Sequence, residues 1–280
     1  MSISQVRAAF RRLHDSGCFV IPNPWDIGTA RYLRHCGFNA LATTSAGAAF
    51  GMGLPDTDGA VTRDMMLAHI RTIVEATELP VSADFESGYA QAPDAVAESV
   101  RLCVETGVTG LSIEDATGDK ARPLYDLDDA VARMRAARQA IDQTGADVML
   151  VGRAECFLVG RPDIGETIAR LKAYAAAGAD CLYAPGIRSA EQIAAIVNAV
   201  APKPVNVLMS GATGLSVADL ASLGVRRVSV GGALARVAWG AFMRAARQIA
   251  IGGRFDAFGD AVSMAEINGF FRDDLKERAG

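Results

Sequence analysis

The 280-residue sequence predicts a closed (β/α)8 barrel with an extra C-terminal helix. Three observations predict it. Eight short apolar runs alternate without a break with longer helical patterns, and such alternation means a parallel sheet covered by helices. The runs are near-continuously apolar, as strands buried on both faces must be. Four helical stretches end in a glycine just before the next run (Gly37, Gly107, Gly178 and Gly224), where a left-handed residue stops a helix. An open doubly wound sheet is the competing arrangement. It should carry GxGxxG after its first strand, and PNPWDIG is not one.

In chain order, MSISQVRAAFRRLHDSG reads as an amphipathic helix, without the apolar core and cleavage site of a signal peptide. Strands are expected at FVIPNP (19–24), ALATTS (40–45), PVSADF (80–85) and GLSIED (110–115). The other four are VMLVGRAE (148–155), CLYAPG (181–186), VNVLMS (205–210) and RVSVGG (227–232). Helical patterns fill the intervals, such as DAVAESVRLCVETG after Pro93 and DDAVARMRAARQAIDQTG after Leu127. Residues 1–255 form the expected barrel domain and 256–280 a helical extension, whose phenylalanines would cap the barrel or pack on another subunit.

Bulk properties narrow the function. A net charge of −4 with scattered Lys and Arg argues against a nucleic-acid partner. No apolar run approaches the roughly 20 residues that a membrane span needs. Five cysteines without a CxxC (Cys18, Cys36, Cys103, Cys156 and Cys181) suggest a reduced cytoplasmic chain in which each is a small core residue.

In such a barrel, chemistry sits at the C-terminal strand ends and the loops that follow. The stretch PVSADFESGY (80–89) starts as a buried strand and then delivers Asp84 and Glu86, two carboxylates expected on one side of that strand. The next strand ends in Glu114 and Asp115, and the one after it in Arg153 and Glu155. Earlier ends bring Trp25 and Asp26, then Thr43, Thr44, Ser45 and Gly47, with Asp56 following; Asn206 lies near the start of strand seven. All three histidines fall on helical stretches, and none of the four lysines ends a strand, which disfavours a Schiff-base aldolase. Hard oxygen ligands without His or Cys select Mg²⁺ or Mn²⁺, so Asp84, Glu86 and Glu114 are the expected metal residues. The alternative is that these acids cap helices or pair with arginines. Arg153 would fork onto a substrate carboxylate, or else pair with Glu155 or Glu114. Ser45 and the small residues after it would offer a hydroxyl and backbone amides, or simply form a tight turn. SGATGLS and SVGGALARV are either a phosphate cradle or plain glycine turns opening helices.

The set NPWDIGTARYLRHCGFNALATTS, GLPD, SADFESGY, SIEDATG and VGRAE resembles the isocitrate lyase and phosphoenolpyruvate mutase superfamily, in the right order from about residue 19 to 240. The resemblance implies a (β/α)8 barrel with a Mg²⁺ and 2-oxo-acid site. Asp84 would ligate the metal directly, with Asp56, Glu86 and Glu114 holding its waters. Arg153, Ser45, Ala46 and Gly47 would grip the substrate carboxylate, with Trp25 and Asn206 as further substrate contacts. It also implies tetramers, dimers of dimers, that exchange a C-terminal helix, here residues 258–275. The departure is the loop GDKARPLYDLDD. It lacks the Lys-Lys/Arg-Cys-Gly-His lid of the carbon–carbon lyases. Of the mutase and phosphonopyruvate-hydrolase lid it keeps the lysine, Lys120, without the asparagine. The expected protein is a Mg²⁺-dependent lyase on a 2-oxo or 2-hydroxy acid, most simply of the oxaloacetate-decarboxylating type, with Asp56, Arg153 and Lys120 as its catalytic groups. Phosphorus–carbon chemistry on phosphonopyruvate and a non-catalytic oxo-acid-binding barrel are the alternatives.

Overall fold

The computed structural model describes residues 1–56 and 59–279. Eight strands form the sheet: β1 (Phe19–Ile21), β2 (Leu41–Ala42), β3 (Val81–Ala83), β4 (Gly110–Glu114), β5 (Met149–Arg153), β6 (Cys181–Tyr183), β7 (Val205–Leu208) and β8 (Arg227–Ser229). They run in the order β1-β8-β7-β6-β5-β4-β3-β2, and every ladder is parallel. The seam between β1 and β2 is crossed by a backbone bond, Ala42 N–H to the Pro22 carbonyl at 3.0 Å. The (β/α)8 barrel is therefore nearly closed.

The helices are α1 (Ile3–Arg12), α2 (Ile27–His35), α3 (Ser45–Gly51), α4 (Arg63–Ala76), α5 (Pro93–Glu105), α6 (Leu127–Gln143), α7 (Ile164–Ala176), α8 (Ala190–Val200), α9 (Val217–Ser222), α10 (Ala233–Gly252) and α11 (Met264–Ala279). Their starts follow local chemistry. Ser2 and Gln5 form a capping box at α1, Thr44 caps α3, Thr62 caps α4 and Asp163 caps α7. Pro93 opens α5, where its missing N–H costs nothing. The four helix-ending glycines all take positive φ, between 84° and 105°. Phe10 of α1 is fully buried and packs in the barrel interior with Ile21, Met149, Val151, Cys181 and Tyr183. Val, Ile, Leu and Ala from the strands' other face and from the helices make the surrounding layer.

Each strand is shorter than its apolar run, which corrects the sequence-based spans. β3 stops at Ala83, because the next residues leave the ladder: Glu86 and Tyr89 both adopt left-handed backbone, φ 46° and 54°. Strand alternation therefore does not set the directions of Asp84 and Glu86. Cys36 is also corrected: it is exposed, whereas Cys103, Cys156 and Cys181 are buried as expected. His14 lies just beyond α1, not within it.

The chain divides into two compact units, Met1–Gly232 and Ala233–Gly280. The second contains α10, a 3-10 turn over Asp256–Asp260, and α11. It leaves much apolar surface open: Val237 is 71%, Phe242 63% and Ile251 87% exposed. Among the described residues, no helix is long and apolar enough to cross a membrane.

Candidate active site

The ends of β3, β4 and β5 bring one guanidinium among three carboxylates. Glu114 and Arg153 are direct neighbours in the β4–β5 register, so both side chains leave the sheet at one level. Arg153 Nη1 lies 2.6 Å from Asp84 Oδ1, and Nη2 lies 3.1 Å from Glu114 Oε2 and 2.9 Å from Glu155 Oε1. Its Nε also donates to Glu155 Oε1, at 3.0 Å, and the guanidinium carbon sits 5.0 Å from the Tyr183 ring centre. The pairing alternative for Arg153 is thus realised with Glu155 and Glu114 together, and extends to Asp84.

The acidic residues are also held by groups other than Arg153. Asp84 Oδ2 accepts the Ser45 amide at 3.0 Å, while the Asp84 N–H donates to Thr43 Oγ1 at 2.9 Å. Tyr89 donates its hydroxyl to Glu86 Oε1 at 2.7 Å, and the Glu86 carbonyl accepts the Glu114 amide at 3.0 Å. Gly88 makes that turn possible, with φ 78° and a would-be Cβ 3.2 Å from Val96 Cγ1. Beneath the cluster, Asp115 accepts the Glu155 amide at 2.8 Å, and Arg170 Nη1 and the Tyr174 hydroxyl bind its other oxygen.

Burial sets the charge state. It pushes Glu86 up to about 7, helped by the Asp84 and Asp56 charges and opposed by Tyr89. It pushes Asp56 up to about 6. Glu114 and Glu155 are also driven upward, burial first, with Arg153 pulling the other way. Burial works against the charge of Arg153 as well, but Glu155, Glu114 and Asp84 outweigh it and raise its pKa well above the usual value.

Two cavities meet here. An inner one of about 180 Å³ is lined by Ser45, Ala46, Asp84, Arg153, Tyr183 and Arg227, among others. An outer one of about 960 Å³ lies between the loops and is lined by Arg63, Glu86, Tyr89, Glu114 and Lys120. Asp56 lines both. Asp56, Arg153, Asp84, Glu86, Glu114, Ser45, Ala46 and Asn206 all fall on one or other wall, and Lys120 is exposed on the outer one. Trp25 and Gly47 line neither. Trp25 precedes the Asp26 cap of α2, and the Gly47 amide is taken by Thr44 Oγ1 at 3.3 Å. Asn206 is fully buried, with its amide group engaged by Ser229 and Arg227. After β8, the Val230 and Gly231 amides both donate to Asn23 Oδ1, at 2.9 and 2.8 Å, so a side chain fills the phosphate-cradle position. Glu155, Tyr89, Tyr183 and Arg227 also stand at these walls or contact the groups that do. Glu155 and Tyr89 were legible as the last residues of VGRAE and SADFESGY; Tyr183 and Arg227 carry no local signature.

Among the described residues, no group of three or more His, Cys, Asp or Glu is drawn together into a metal cage. The donor set nevertheless fits a hard divalent ion. Asp56, Asp84, Glu86, Glu114 and Glu155 surround a single guanidinium, and Arg153 satisfies only part of their oxygens. An ion bound through one carboxylate and several waters needs no three-ligand cage.

The sequence matches the family profile described as phosphoenolpyruvate phosphomutase over residues 10–250. The chain belongs to this family, within the isocitrate lyase/PEP mutase superfamily. A Burkholderia cenocepacia J2315 structure, provisionally named a lyase/mutase, is 52% identical with a TM-score of 0.91, covering 96% of each chain. The oxaloacetate decarboxylase of Paraburkholderia xenovorans LB400 is 30% identical, over 79% of this chain and 74% of that protein. An oxaloacetate acetylhydrolase structure in complex with oxalate is 26% identical with a TM-score of 0.84, covering 99% of this chain and 98% of that one. Superfamily members are lyases or mutases and generally depend on a divalent metal.

Proposed function

We propose that this phosphomutase-family member is a Mg²⁺-dependent carbon–carbon lyase of short 2-oxo acids, acting in the oxaloacetate-decarboxylating manner. The observation that carries this reading is the surplus of carboxylates around Arg153, an anionic cup that requires a cation before an anionic substrate can enter. Mn²⁺ has the same ligand preferences and is the expected substitute. When bound, the ion supplies Lewis-acid stabilisation of negative charge on the 2-oxo oxygen.

The chain's own groups do the rest. Asp84 would ligate the metal, with Glu86, Glu114 and Asp56 holding its waters. Arg153 presents a guanidinium already oriented by Glu155 and Glu114, so little ordering remains when a substrate carboxylate or enolate oxygen approaches. Ser45 and Ala46 line the inner chamber, where a hydroxyl and an amide can receive the 1-carboxylate. Loss of CO2 leaves an enolate that water entering from the outer chamber can protonate. That route suits a β4–α6 loop, residues 115–126, without cysteine or histidine.

A second reading, phosphorus–carbon bond chemistry on phosphonopyruvate, is favoured by the family description and by Lys120 on the outer wall. We also propose that the protein works in the cytoplasm and as a homo-oligomer, a tetramer of paired dimers, through the exposed apolar C-terminal unit.

The test is pyruvate formation from oxaloacetate by the wild type and by Asp84→Asn at matched Mg²⁺, since Mg²⁺ alone decarboxylates this acid. A rate above the metal background in the wild type only is expected. Equal rates would overturn the decarboxylase reading; phosphate or phosphoenolpyruvate from phosphonopyruvate would then select the second. Oxalate binding without any product would leave a binding barrel.

A further inference from the structure

The inner chamber has a second arginine. Arg227 opens β8 beside Asn206 of β7 and Phe19 of β1, and only 4% of it is exposed. It lines the same cavity of about 180 Å³ as Arg153. Its Nε donates to Asn206 Oδ1 at 2.8 Å, and Asn206 is fixed in turn by donating to Ser229 Oγ at 2.9 Å. Its Nη1 is buried and has no hydrogen-bond partner.

No described carboxylate pairs with Arg227. Asp56 and Asp84 line the same chamber without pairing with it, and the titratable groups that feel its charge include His14 and Cys181. Burial first, and then the Arg227 charge, push His14 down to about 3; its Nδ1 lies 3.0 Å from the Phe10 carbonyl. Burial pushes the Cys181 thiol up. Neither offers a negative charge. Arg170, also buried, has carboxylate partners in Asp115 and Glu166, and Arg133, whose Nε is likewise unpartnered, at least spends both Nη atoms on the carbonyls of Ser87, Ala90 and Gln91, which lie outside the chamber. A guanidinium removed from water without a countercharge is strongly unfavourable unless an anion joins it.

We propose that Arg227, held in place by Asn206 and Ser229, is an inner anion-binding subsite of the chamber. Its ligand is a small anion, either the second carboxylate of a short acid that enters the barrel or an inorganic anion of similar size. Where the anion is a substrate carboxylate, the subsite rests on the lyase reading and selects short dicarboxylic acids over monocarboxylic ones.

The experiment uses the full chain freed of metal with EDTA, so that neither turnover nor the metal site enters. Crystals of the wild type soaked in bromide are expected to show an anomalous peak in contact with the Arg227 guanidinium. A water there, with no bromide peak, would overturn the proposal. In parallel, thermal unfolding is titrated with chloride and with succinate. A saturable rise in midpoint is expected, with apparent affinity at least tenfold weaker in Arg227→Met and partly kept in Arg227→Lys. A rise with succinate alone assigns the subsite to a carboxylate; a rise with both assigns it to any small anion. An undiminished rise in Arg227→Met sinks it. If that variant does not fold, the bromide map decides. A protein that binds the anion here yet leaves oxaloacetate intact would lose the lyase reading and keep this one.

Discussion

Arg153 Nη1 and Asp84 Oδ1 stand 2.6 Å apart although β5, which ends in Arg153, and β3, which Asp84 follows, are not neighbours. The guanidinium passes over Glu114 of the intervening β4 and contacts it on the way. One side chain therefore fixes three consecutive strand ends, and the same contact sets how far the cup can open. Substrate and metal must compete with, or build upon, this charge-held arrangement.

That arrangement makes Arg153→Met a double lesion. Removing one partner from a buried ionic cluster leaves uncompensated carboxylates, a loss of about 3–5 kcal/mol of stability. Catalysis should fall by about 10²–10³-fold as well, the usual effect of deleting a charge-stabilising donor. Arg153→Lys should keep a larger share of the stability than of the rate, because a point charge cannot fork onto Asp84 and Glu155 at once. Chemical denaturation and steady-state kinetics separate the two. Equal losses of rate and stability in Arg153→Lys would contradict the oriented-fork role.

The pH dependence of the metal-free protein follows from Glu86 and Asp56. Both are raised in the folded state, to about 7 and about 6. A raised carboxyl binds its proton more tightly when folded, so its contribution is full below the unfolded pKa near 4 and is lost as pH rises through 6–7. Apo protein should therefore unfold more easily at pH 8 than at pH 5.5 as far as these groups govern it, and Glu86→Gln should flatten that decline. A divalent ion should reverse it, since it favours the ionised form. Thermal midpoints from pH 5 to 8.5, with EDTA and with Mg²⁺, check all three statements. A Glu86→Gln profile parallel to the wild type would contradict the assignment.

The fold was legible because burial on both faces leaves parallel strands little compositional freedom, and because Gly37, Gly107, Gly178 and Gly224 mark four of the helix stops. The charged half of the site was legible too. Asp84, Glu114 and Arg153 are polar residues at the ends of apolar runs, where only function or pairing explains them. Where the strands stop was not legible, since Phe85 is as apolar as a strand residue and only the left-handed turn at Glu86 ends the ladder. Nor was Arg227 legible as a wall of the site: it looks like a strand-opening surface residue, and only barrel closure against β1 puts it inside.

The turn after β3 carries the next prediction. Glu86, Gly88 and Tyr89 all have positive φ, and a Cβ on Gly88 would meet Val96 Cγ1 at 3.2 Å and Ile113 Cδ1 at 3.3 Å. Backbone strain of this kind costs about 1–3 kcal/mol at each non-glycine. Gly88→Ala should destabilise by a similar amount and displace Glu86, lowering metal affinity more than Tyr89→Phe does. Tyr89→Phe keeps the turn and removes the bond to Glu86 at 2.7 Å. Calorimetric Mg²⁺ titration of both variants tests the order, and the reverse order would show that the Tyr89 hydroxyl matters more than the turn.

The C-terminal unit makes the last prediction. Val237, Phe242, Ile251 and Phe255 are each at least 60% exposed, and Trp239 packs edge-on against Phe242 at 5.5 Å between ring centres. A set of large apolar side chains in one 48-residue unit is more than isolated surface residues explain, and it is the usual mark of an association surface. Burying Phe242 against a second copy would contribute about 2 kcal/mol per copy, and a charge at the same position would oppose association by more. Phe242→Asp should therefore shift light-scattering mass from oligomer towards monomer while the far-ultraviolet spectrum stays unchanged. The wild type running as a monomer at micromolar concentration would refute self-association through this face, and a variant still fully assembled would move the contact elsewhere on the chain.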